Sequence, residues 1–112
     1  MRLKSKIYVQ ALIRRAEAQG AAAFVVCSGA VEAGAVFIKI NRLDGNCDVL
    51  GPSQRLGAEG EIERIWTRPL GDGVSEERAE EYFARQLKFD PDIWVVEIED
   101  REGRGFVDEV ID

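Results

Sequence analysis

The sequence predicts a single α+β domain: a mixed, mainly antiparallel sheet of about five strands with two helices, one on each face, as a three-layer sandwich. Three observations predict it. Apolar residues recur at helical spacing in two segments, near residues 5–19 and 75–89. Short apolar runs of period two lie between and after them. One run, Ala21–Cys27, has no polar alternation, the pattern of a strand covered on both faces. Such a strand needs a layer on each side, which puts the helices on opposite faces. The runner-up arrangement puts both helices on one face and leaves the other to a dimer partner.

The first helix is expected from Ser5, its capping residue, to about Gln19, with Gly20 just beyond. Tyr8, Ala11, Leu12 and Ala16 form its apolar stripe, widened by Ile7, Val9 and Ile13. After the Ala21–Cys27 strand, Ser28-Gly29 turns the chain. A second strand spans Ala33–Asn41, with Val36, Ile38 and Ile40 on one side and Phe37, Lys39 and Asn41 on the other. Asp44-Gly45 is a two-residue hairpin signal leading into a return strand, Cys47–Leu50, which Gly51-Pro52-Ser53 should end. A polar loop then runs to Gly60.

A fourth strand is predicted over Glu61–Arg68, closed by Pro69. Ser75 starts the second helix, with Glu76 and Glu77 in its first turn and Ala79, Tyr82, Phe83 and Leu87 as its buried stripe. Asp90-Pro91 stops it, because the residue before proline is pushed out of the helical region. The last strand is Ile93–Glu99, with Trp94, Val96 and Ile98 inward and Val95, Glu97 and Glu99 outward. Phe106, Val107, Val110 and Ile111 make residues 105–112 a docking tail, on the same chain or a partner.

A length of 112 residues is about one domain, able to bury a modest core unaided. The longest apolar run has seven residues, far below the roughly 18 that a spanning helix needs, and no secretory leader pattern opens the chain. A cytoplasmic protein with no membrane contact is expected. There is no histidine, so catalytic triads and the usual zinc sites are out of reach. Cys27 and Cys47 lie 20 positions apart and read as buried small residues.

A net charge of −6 argues against nucleic-acid binding. The charge is lopsided. Residues 1–42 carry seven cations and two acids, a net +5, and residues 43–112 carry eight cations and nineteen acids, a net −11. Folding can mix the halves; complementary patches could also drive self-association or present an acidic face to a partner.

No motif secures a cofactor or a metal. Gly71-x-Gly73-x-x-Glu76 lacks the third glycine of a dinucleotide loop, and Asp72, Glu76 and Glu77 would repel a phosphate there. Asp44-x-Asn46-x-Asp48 opens like a calcium loop, but Val49 and Arg55 stand where glycine and glutamate are required. One stripe is chemically suggestive. Arg64, Trp66 and Arg68 share a strand face at period two, and Asn41 and Arg42 could join them to hold a carboxylate or phosphate. The plainer reading pairs the arginines with Glu97 and Glu99 across the sheet.

The opening Met-Arg-Leu-Lys-Ser, the helix ending in Arg14-Arg15, Glu32–Val36, Asn41–Gly45 and above all Phe89–Asp100 resemble a family of short bacterial proteins, domain of unknown function 1491. The resemblance spans nearly the whole chain. It implies a stand-alone bacterial cytosolic protein and carries no activity, ligand or site residue with it. Two functions therefore stand open: a non-enzymatic interaction module that self-associates as a homodimer or binds a protein partner, and a small-anion binder or enzyme on the arginine and tryptophan face.

Overall fold

The structure, a computed structural model, describes residues 3–111. Helix α1 spans Ser5–Ala18 and helix α2 spans Glu76–Phe89. The strands are β1 (Ala22–Cys27), β2 (Val36–Asn41), β3 (Asn46–Leu56), β4 (Ile62–Thr67), β5 (Val74–Ser75), β6 (Trp94–Glu99) and β7 (Val110–Ile111). They form one mixed sheet in the order β1-β6-β2-β3-β4-β7, with β5 beside β3. The pairs β2–β6 and β4–β7 are parallel and the others antiparallel. The α+β class holds, but the sheet has seven strands instead of about five. The two extra strands are two-residue pairings that carry no periodicity of their own.

Alternation along β2 builds the two cores. Val36, Ile38 and Ile40 pack with Val9, Leu12 and Ala16 of α1, while Phe37 packs with Ala79 and Phe83 of α2. The helices therefore lie on opposite faces, and β2, β6 and the first half of β3 are covered on both. In β6, Trp94, Val96 and Ile98 face α1 as expected. Val95, expected outward, is buried on the α2 side.

The strand expected to be covered on both faces is not. β1 is the sheet's edge, and Phe24, Val25 and Val26 are 44%, 38% and 55% exposed. An uninterrupted apolar run fits burial, yet β1 pairs only with β6, and a bulge between Val25 and Cys27 breaks that ladder.

Several boundaries also shift, β2 for one beginning at Val36 and not at Ala33. Lys4, not Ser5, is the N-cap of α1. The helix's first amides donate instead to the 31–32 loop (Ser5 N to Glu32 O, Lys6 N to Val31 O), and the Ser5 hydroxyl donates to the Gly34 carbonyl. The β2–β3 loop has four residues, with Leu43 in the left-handed region at φ 63° and Gly45 at 92°. Side chains hold it, as Asn41 Oδ1 accepts from Leu43 N and Asp44 Oδ1 from Asn46 N.

β3 does not stop at Gly51-Pro52-Ser53 but continues to Leu56, and the expected polar loop shrinks to residues 57–61. Proline is tolerated for a specific reason. Pro52 stands opposite Trp66, whose N–H points away from β3 toward the Glu109 carbonyl. The pair is thus a non-hydrogen-bonded one, and the Pro52 nitrogen faces the β2 side beyond the end of the β2–β3 ladder, which pairs only residues 47–50 of β3.

Ser75 caps α2 as expected, its hydroxyl accepting from Arg78 N. The tail docks on its own chain. Phe106, Val107 and Val110 pack on the α1-side core, and β7 extends the sheet beside β4; Asp112 lies outside the described residues. No helix among the described residues is long and apolar enough to cross a membrane.

Candidate functional site

The five residues singled out from sequence do not converge. Arg64 and Trp66 lie on the α1 face, but Trp66 is buried at 1% exposure, so no ligand can stack on it. Its ring lies against Tyr8 at 6.2 Å between centroids and 27° between planes. Arg64 places its guanidinium 4.2 Å from the centre of the Tyr8 ring. Burial raises the Tyr8 hydroxyl's pKa, and Arg64 and Arg15 only partly offset this.

Arg68, just past the end of β4, belongs to a different cluster. Asp48 is fully buried, and Arg42 grips it with two hydrogen bonds, Nε to Oδ2 at 2.7 Å and NH2 to Oδ1 at 2.8 Å. The Gly73 amide donates to Asp48 Oδ1 at 3.0 Å, and Arg68 approaches at 3.9 Å. Asp72, on the surface, closes the network against both arginines at 2.6 and 3.5 Å. Every charge here has an opposite partner, so the cluster reads as a fold-holding network.

The expected pairing of the arginines with Glu97 and Glu99 is also overturned, because β2 and β3 separate β6 from β4. Glu97 pairs instead with Lys39, the neighbour across the parallel β2–β6 ladder, at 3.2 Å. Asn41 belongs to that group, donating from Nδ2 to Glu97 Oε2 at 3.4 Å. Glu76, at the start of α2, reaches Lys39 Nζ at 2.9 Å. Burial opposes the Lys39 charge, but the two carboxylates outweigh it and hold its pKa above the ordinary lysine value. Such a lysine is a charged anchor, not a nucleophile. Sequence reading missed this triad because Lys39 and Glu97 become neighbours only once β2 and β6 are known to pair in parallel.

One surface stays open. A groove of about 1180 Å³ runs between the N-terminal half of α1 and the projecting half of the β3–β4 hairpin. Of the five candidates it contains Arg64 and the buried Trp66 beneath it, and neither Asn41, Arg42 nor Arg68 lines it. Among the described residues no cluster of His, Cys, Asp and Glu side chains could hold a metal ion.

Comparison with known proteins agrees with this architecture. No curated protein matches the chain. The crystal structure of a DUF1491 family protein from Caulobacter crescentus CB15 is 42% identical, covers 98% of this chain and 100% of its own, and superposes with a TM-score of 0.86. The NMR structure of a DUF1491 family protein from the same organism, also 42% identical, covers 100% and 99% with a TM-score of 0.83. A protein from A. tumefaciens, solved in solution as a structural-genomics target, is 41% identical over 88% of this chain and 86% of its own, with a TM-score of 0.76. The family described as "Protein of unknown function (DUF1491)" matches residues 3–108. The chain belongs to the DUF1491 family.

Proposed function

We propose that this protein is a small non-enzymatic interaction module of the bacterial cytoplasm that self-associates through β1. The observation that carries the reading is the character of that strand. Its outer edge pairs with no strand among the described residues, and Phe24, Val25 and Val26 stand exposed along it. From Ala18 to Val31 the sequence has no charged residue, in a chain that is 32% charged. Sheet edges are normally guarded by lysine, proline or inward charges against pairing with another chain. Here only the bulge near Val26 interrupts the edge.

A second copy is the natural occupant. An uncharged strand meets its own twofold image without opposing like charges, and a closed pair removes the edge from solution. A twofold axis through Ala23 sets Phe24 opposite Ala22 and Val25 opposite Ala21, large against small. The non-enzymatic part is supported by the charge clusters, where Lys39, Asp48 and Arg42 are each occupied by opposite charges. The cytoplasmic setting is supported by the two free cysteines.

Sedimentation equilibrium from low to high micromolar concentration tests the reading. The natural chain should shift from 12.5 kDa toward twice that mass, while Val25→Lys should remain monomeric with an unchanged circular-dichroism spectrum. A natural chain that stays monomeric throughout overturns it.

A further inference from the structure

The groove beside α1 carries an inference independent of the β1 edge. On the α1 face of the hairpin, cross-strand pairs grade from tip to base. Leu56 stands opposite Ile62, both largely exposed; Gln54 opposite Arg64; and Pro52 opposite buried Trp66. Across the groove stand Tyr8 and the half-exposed Leu3. The slot thus presents Leu3, Tyr8 and Ile62 among polar side chains, and of its three cations Lys4 pairs with Glu32 and Arg15 donates to the Phe106 carbonyl, which leaves Arg64.

That cation is held without an anion. Among the described residues no carboxylate lies within 4.0 Å of the Arg64 guanidinium, in a chain with 21 acids. Neighbouring acids are occupied or stand apart. Glu63 and Glu109 bind Arg55, Glu61 accepts from the Glu59 amide at the hairpin turn, and Glu32 pairs with Lys4. Tyr8, backed by Trp66, fixes one face of the guanidinium, so the donor fork is set before any ligand arrives. Asp108, Glu61 and Asp90 also line the groove and disfavour a second negative charge on the ligand.

We propose that this groove binds a small monocarboxylate with an apolar body, its carboxylate on Arg64 and its body between Tyr8, Leu3 and Ile62. A dianion such as phosphate meets the surrounding acids, and a neutral apolar molecule leaves the guanidinium unanswered. Isothermal titration with 4-phenylbutyrate, 4-phenylbutanol and inorganic phosphate tests this. The carboxylate should bind, with the alcohol and phosphate at least about tenfold weaker. Arg64→Gln should lose the same factor while keeping its melting temperature, and Arg64→Lys should recover only part, because a bidentate fork is lost. Val25→Lys should bind as the natural chain does, so this site and the β1 reading fail separately. Equal binding of acid and alcohol, unchanged binding by Arg64→Gln, or no heat with the carboxylate at millimolar concentration overturns the proposal.

Discussion

Arg42 and Asp48 face each other across the β2–β3 hairpin as a fork, the guanidinium contacting both carboxylate oxygens at 2.7 and 2.8 Å. Asp48 has no access to water, whereas Arg42 keeps 28% of its side chain exposed. The pair is therefore asymmetric. Its arginine can be rehydrated and its aspartate cannot.

Removing Arg42 should be costly for that reason. Arg42→Ala leaves a buried carboxylate with only the Gly73 amide and the more distant Arg68, and should cost about 2–3 kcal/mol in urea unfolding. Asp72→Ala removes a carboxylate that water already screens and should leave the unfolding midpoint where it is. If the two variants unfold alike, the buried pair is not what anchors this corner.

Acid should destabilise the fold in a defined window. Burial aside, hydrogen bonds from Lys39, Arg104 and Arg55 hold the carboxyls of Glu76, Asp100 and Glu109 below their ordinary values of 3.8 to 4.5. Each binds its proton less readily in the folded chain than in the unfolded one. Their stabilisation is complete above those ordinary values and disappears as pH falls through the lower folded ones. Lys39 acts in the opposite sense, its share being present below 10.5 and lost as pH climbs through its raised folded value. Melting temperature against pH should plateau around neutrality and fall steeply on the acid side below about pH 4.5.

Gly29 tests the loop that closes the sheet's other end. A β-carbon there would lie 2.1 Å from the Asp92 carbonyl oxygen and 2.5 Å from the Ile93 backbone, neither of which can move without disturbing β6. Gly29→Ala should therefore cost about 3 kcal/mol. Gly45→Ala is the useful comparison. That site is open, so its penalty should be the smaller one of placing alanine at φ 92°. Thermal unfolding of the two variants separates close packing from backbone conformation.

The helices were legible because each carries its own period and its own stop, as at Ser75 and Asp90-Pro91. The core strands were legible too, since Val36, Ile38 and Ile40 alternate whatever the neighbours are. Neighbour relations were not legible. The apolar run of β1 reads as a centre and lies at an edge, and the alternating β6 reads as half-exposed and lies inside the sheet, covered on both faces. Its Glu97 is polar because Lys39 stands beside it, a relation created by topology alone. The candidate site split for the same reason. Period two correctly put Arg64 and Trp66 on one face, but burial turned Trp66 into a support for Tyr8, and Asp48 drew Arg42 and Arg68 into a separate network.

The strand order carries a consequence for the growing chain on the ribosome. β6 lies between β1 and β2, yet it is synthesised long after both. Until it emerges, β1 has no partner on either edge, and its charge-free segment is displayed to whatever surrounds the nascent protein. The strand that joins β1 to the rest of the sheet is thus installed late, and a chain halted before Trp94 would offer an adhesive strand in place of a finished fold.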